Sequence, residues 1–176
     1  MKKVFMGVLL TGLIFIVGCN EDFDYENEEV AAIVRGEEIT IGELRFLYPD
    51  KKALDNLDGT IKATLAIQEA KKMDLDVSEE MKEIEGANVY PEEANNSETA
   101  KNIRQFAHTQ AAKFGMEPEE YYKEYTEKTR EISFYVVGYI EEMIGEADDK
   151  AFTEQANKLL DDLVEENRDE INIRIQ

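Results

Sequence analysis

A chain of 176 residues with 40 acidic against 20 basic side chains carries a formal charge of −20, a field that repels phosphate backbones and excludes nucleic-acid binding. The acid surplus is read as solubility and self-repulsion, with no acid-specific chemistry attached. A single cysteine excludes an internal disulfide, so a buried core must hold the fold, and a chain of this length can take roughly 68–70% of its unfolded surface out of water.

The first element is not part of that core. Lys2 and Lys3 precede an apolar or small-residue run from Val4 to Val17, followed by Gly18 and Cys19. A positive start and an apolar stretch of this length read as a secretory signal, because a spanning helix needs about 20 apolar residues and this run is shorter. Ile16-Val17-Gly18-Cys19 resembles a lipobox, the site at which bacterial lipoproteins are cleaved before a diacylated cysteine. The expectation is a signal peptide over 1–18 and a lipid on Cys19, which anchors the protein at the extracytoplasmic face of the membrane. Two acyl chains at about 0.8 kcal/mol per buried methylene make that anchoring stable. With Lys2 and Lys3 taken from −20, the remainder carries −22.

Residues 19–29 are rich in Glu and Asp, with Phe23 and Tyr25 as the apolar exceptions, and read as a solvated acidic tether. The folded domain then spans 30–176. Val30 to Val34 favours a strand, Arg35 to Glu38 a turn, and Ile39 to Ile41 a short return strand. Thr40 and Glu43 form a capping box for a short helix through Leu44 and Leu47, which Pro49 stops. From Lys51 onward, Leu54, Leu57, Ile61 and Leu65 recur at helical spacing, with Asp58-Gly59 as the place where this stretch breaks.

Ser78 is placed as the cap of another short helix carrying Met81 and Ile84 and ending at Gly86, with a loop over 87–96. Ser97 caps a helix with Ala100, Ile103, Ala107, Ala111 and Phe114 on one face, closed by Gly115. Pro118 suits the first position of the longest helix, about 27 residues to Gly145, and a last helix runs from about Lys150 to Asn167. The strict alternation of Ile171 to Ile175 predicts a strand. Its only available partner is the Val30–Ile41 region, so the two ends of the mature chain should meet in a small sheet.

Three blocks resemble the SurA N-terminal peptide-binding domain: residues 30–44, then Leu65 to Lys72 with Leu75, Val77 and Ser78 to Glu80, then Phe114 to Tyr122. They fall in the family's order and cover residues 30 to about 145. The match departs at Arg35, where the family has Asn, and over Pro49 to Thr60. The resemblance implies a mainly helical, multi-helix SurA N-terminal-like fold related to the helical parts of SurA, PrsA and trigger factor, with an apolar cleft for unfolded segments. The parvulin isomerase domain found in many relatives has no room here, since about 30 residues follow Gly145, and isomerase activity is not expected.

No nucleophile, metal or phosphate-loop motif points to an enzyme, and no cofactor is expected. His108 is alone on its helix and reads as a surface residue. Asp74, Asp76, Ser78 and Glu85 match four positions of a calcium loop, but Glu79 stands where the sharp turn needs glycine. The aromatic and methionine series from Phe114 to Met143, Phe134 included, has more members than one helix face can bury. It either packs on other helices or forms a surface for varied apolar segments. Phe114, Met116, Tyr121, Tyr122, Tyr125, Tyr135, Tyr139 and Met143 are the residues put forward for partner contact. The function expected is a membrane-anchored, chaperone-like lipoprotein that binds unfolded or extended exported polypeptides. The alternative is an envelope lipoprotein that docks one specific protein.

Overall fold

The computed structural model describes residues 24–83, 89–145 and 149–175. Cys19 and the whole of 1–23, with Ile84 to Gly86, lie outside them. The protein is mainly helical with a small three-stranded antiparallel sheet. Strands β1 (Val30–Val34) and β2 (Glu37–Thr40) form a hairpin, and β3 (Ile171–Ile173) adds to the other side of β1, giving the order β2-β1-β3. Ala32 pairs with Ile173 and Val34 with Ile171, so the two ends of the domain meet as expected. As the central strand, β1 is covered on both faces, and its Ala31, Ala32 and Val34 are fully buried.

The hairpin turn is tighter than anticipated. Glu37 and Glu38 belong to β2, leaving Arg35 and Gly36 as a two-residue loop with φ of +49° and +84°. Positive φ at both positions is the geometry that matches strand twist in such hairpins, and Asn-Gly takes it more readily than Arg-Gly. Arg35 is held there by its side chain, which donates to the Glu69 carboxylate and, through Nε at 3.0 Å, to Asn167. The guanidinium beside Glu69, helped by Lys72, keeps that carboxyl below its ordinary range despite partial burial.

Helix α1 (Ile41–Leu47) begins with the expected capping box: Glu43 N–H donates to Thr40 Oγ1 at 3.1 Å and Thr40 N–H to the Glu43 carboxylate at 3.0 Å. The stretch before it differs from a solvated tether over the part described. Ile41 N–H donates to Glu29 O and Gly42 N–H to Asn27 O, each at 2.8 Å, while Arg45 holds Asn27 Oδ1 at 2.6 Å and Tyr25 packs on the core. The first-turn amides of α1 lack intrahelical partners, so residues 27–29 supply them and are tied to the domain despite their charge.

Helix α2 (Asp50–Ala53) passes through a 3-10 turn (Leu54–Asn56) into α3 (Leu57–Lys72). The irregularity therefore precedes Asp58-Gly59. Asp58 sits in the first turn of α3, where a carboxylate is favoured, and pairs with Lys62 at 2.8 Å. Asp74, at φ +57°, ends α3 in a Schellman arrangement, with Leu75 N–H donating to Ala70 O at 3.0 Å. Ser78 is the first residue of α4 (Ser78–Glu83) and not its cap; Asp76 Oδ1 accepts from Ser78 N–H at 2.9 Å and from its hydroxyl. Asp76 is thus engaged as a charged cap.

Ser97 caps α5 (Glu98–Ala111) through Ala100 N–H at 3.2 Å, and Gly115, at φ +64°, closes the turn that follows. Helix α6 (Pro118–Ile144) starts at Pro118 and α7 (Asp149–Glu166) lies beside α3, where Lys62 reaches Asp161 at 2.8 Å. Two apolar clusters result. The main one joins the sheet, α3 (Leu65, Ala66, Ala70), the C-terminal half of α6 (Tyr139, Ile140) and Leu163 of α7; the second joins Ala107, Ala111 and Tyr121, with Phe46, Phe106 and Tyr125 against them. Being roughly 40 Å long, α6 buries one face in each cluster at its two ends, which explains why its apolar residues exceed a single stripe.

Candidate functional site

An open groove of about 740 Å³ lies between α1, α4 and the N-terminal half of α6, within the size range of ligand pockets. Gly42 and Phe46 come from α1, Met81 from α4 and Phe114 from the turn after α5. Glu124, Glu127, Lys128 and Glu131 come from α6, spaced three and four apart so that one helix face forms the wall. Phe46 and Phe114 meet edge-on at 5.6 Å and make an apolar floor beneath a largely acidic rim completed by Glu43.

The floor is set from behind. The last carbonyls of a helix have no internal partner, and those of α1 point into the second cluster. Tyr121 hydroxyl donates to Phe46 O at 2.7 Å, and the Gln110 amide donates to Arg45 O and Tyr48 O, both at 3.1 Å. Lys113 Nζ donates to the same two carbonyls and pairs with Asp50 at 2.7 Å. Burial lowers Lys113 despite that partner; for Asp50 burial pushes upward, but Arg45 and Lys113 together hold the carboxyl below its ordinary range. The Tyr121 ring packs 5.0 Å from Phe46, and its burial pushes the phenol up to about 12. These polar side chains, from α5, the turn after it and α6, fix the end of α1 around Phe46 while its ring lines the groove.

One cation crosses the opening. Lys128 Nζ lies 3.6 Å from a Glu43 carboxylate oxygen and 5.9 Å from the centroid of the Phe46 ring, with both side chains of the pair nearly half exposed. No group of three or more metal-ligating side chains occurs among the described residues, and Glu85 of the calcium-loop pattern lies outside them.

The eight residues put forward for partner contact do not form one patch. Phe114 lines the groove. Tyr121 and Tyr139 are corrected to core residues, 0% and 4% exposed, because each sits where α6 crosses one of the two clusters. Met116, Tyr122 and Tyr125 are half-buried in the second cluster, Tyr122 against Tyr90 and Tyr125 stacked 5.8 Å from Tyr121. Tyr135 packs against the main core under Lys71, and Met143, 52% exposed, is far along α6. His108 is exposed. Phe46, Met81 and the α6 glutamates escaped the sequence reading: Phe46 looks like one more apolar residue of a short helix, and charges at helical spacing look like a solvated face.

No helix of the described residues is long and apolar enough to cross a membrane. Comparison with family models, characterised proteins and solved structures returns no significant match. The likeness to the SurA-type domain therefore rests on the motifs of residues 30–145.

Proposed function

We propose that this protein is a membrane-anchored, extracytoplasmic lipoprotein that holds extended segments of exported polypeptides, on a SurA N-terminal-like scaffold and without isomerase chemistry. The observation that carries the reading is the open groove with its Phe46, Phe114 and Met81 floor: an apolar surface left in contact with water, flanked by charge, is the form of a site that takes apolar side chains from a partner. The signal-like first 18 residues and Cys19 support the location, and the strongly negative field keeps copies of the chain apart while the groove stays open to solvent.

Reversible burial of client side chains against the floor would delay client aggregation with no cofactor. The test is suppression of aggregation of a chemically unfolded client by the purified protein at near-equal molar ratio, compared with Phe46→Ser and Phe114→Ser variants. Loss of suppression in both variants with the fold retained is the expected result; equal suppression by all three sinks the groove as the site. Docking of one specific envelope protein is the second reading, favoured if crosslinking in intact cells gives a single dominant adduct in place of a broad smear.

A further inference from the structure

We propose that Lys128 is a built-in stand-in for a cationic side chain of the bound segment, so that the groove selects segments in which Lys or Arg neighbours an apolar residue. The inference rests on the groove being the polypeptide site and adds to it the chemistry of the occupant.

Glu43, Glu124, Glu127 and Glu131 line the opening with Lys128 as the one cation among the lining residues; even with Lys123 4.0 Å from Glu127 behind the rim, acid is in surplus, so a cationic occupant is favoured and one that brings further acid is repelled. Lys128 shows what the site accepts: its ammonium sits between the Glu43 carboxylate, at 3.6 Å, and the Phe46 ring, at 5.9 Å. A ring face and a carboxylate converging on one point suit an ammonium or, better, a guanidinium, which stacks on aromatic faces and pairs with carboxylates through a planar fork.

The resident contact is a weak one. At 3.6 Å and nearly half exposed, it belongs to a class of ion pairs that contribute little, so an incoming arginine can displace it at small cost. Once displaced, Lys128 is still on α6 beside Glu124, Glu127 and Glu131, where its charge is accommodated. The occupant is thus an extended cationic and apolar segment, its arginine over Phe46 and its apolar neighbour on Phe114 and Met81.

Binding of a fluorescein-labelled ten-residue peptide with leucine, phenylalanine and two arginines is measured by anisotropy on the full chain in detergent micelles. Controls replace both arginines with glutamine or with glutamate. The wild-type protein is expected to bind the arginine peptide at least about tenfold more tightly than the glutamate one, with affinity falling as salt rises. Lys128→Ala should tighten the arginine peptide by about threefold to tenfold, through loss of an internal competitor and one repelling charge, and leave the glutamine peptide unchanged.

Glu43→Gln keeps an acceptor at the third position of the capping box and should weaken only the arginine peptide, with thermal stability retained. Equal binding of all three peptides, with no effect of Lys128→Ala, overturns the selectivity while leaving the groove reading intact. Binding of none of them removes the groove reading and this inference together. Self-association of the chain that peptide cannot displace would make a second copy the occupant and overturn it as well.

Discussion

Tyr121→Phe isolates the one hydroxyl that fastens the groove floor. The ring is 0% exposed and keeps its packing in the variant; what is lost is the 2.7 Å bond to Phe46 O and a longer one from Gln110 at 3.4 Å. A buried carbonyl left without a donor costs about 1–3 kcal/mol. In a domain of this size each kcal/mol moves Tm by about 2–4 °C, so a drop of roughly 2–12 °C is expected, with the urea m-value unchanged.

The same residue supplies an internal control by pH. Its phenol is raised from 10.0 to about 12 in the fold, so the unfolded chain gives up the proton first. The stability that Tyr121 contributes is full below pH 10 and is lost as pH climbs toward 12, and the gap between wild type and Tyr121→Phe should narrow over that window. Calorimetry from pH 7 to pH 11 measures both effects. A Tm within 1 °C of wild type at pH 7 would show that Phe46 O finds another donor and that the floor is not held from behind.

Gly42→Ala places a Cβ 2.9 Å from Asn27 O, a backbone atom. Residues 27–29 must lift off α1, and about 1–3 kcal/mol should be lost together with hydrogen-exchange protection of the Ile41 and residue-42 amides; full protection would mean that the segment adjusts in place. Glu69→Gln removes the carboxylate beside Arg35 and Lys72. Because the folded value of Glu69 lies below 4.5, its stabilisation is present above that pH and lost as pH falls through the lowered value, so wild type and variant should differ in Tm at pH 7 and converge as the pH is taken below that lowered value. A constant difference would assign the effect to packing. Arg35→Asn eases the left-handed turn position but abandons Glu69 and Asn167, and a net loss of about 1 kcal/mol is expected in urea unfolding. A gain would show that turn strain outweighs the side-chain bonds to Glu69 and Asn167.

Local chemistry was legible wherever neighbours in the chain settle it. Thr40 with Glu43, Ser97, Pro118, Gly115 and Gly145 mark helix ends through hydrogen bonds or backbone angles that need no distant partner, and the structure places them as helix caps, a first turn and closing turns. The pairing of the chain ends was legible for a different reason: Ile171 to Ile173 alternate like a strand, and a strand must find a partner. Where local signals competed, the reading slipped. Asp76 took the capping role because its carboxylate accepts from both the N–H and the hydroxyl of Ser78, which draws Ser78 into the first turn of α4, and residues 27–29 looked solvated because acidic side chains conceal a backbone already committed to α1.

By itself, then, the amino-acid order determined a mainly helical domain, its longest helix and the meeting of its two ends, since periodicity and capping act over a few residues. Only the tertiary structure decided which apolar side chains remain in reach of a partner. Tyr121 and Phe46 read alike as apolar residues of helices, yet one is sealed beneath α1 and the other is half-buried at the wall of an open groove, because exposure depends on how α6 crosses two clusters along its length. The convergence of Glu43, Lys128 and Phe46 likewise arises where α1 meets α6, eighty-odd residues apart in the chain, and no spacing within either helix encodes it.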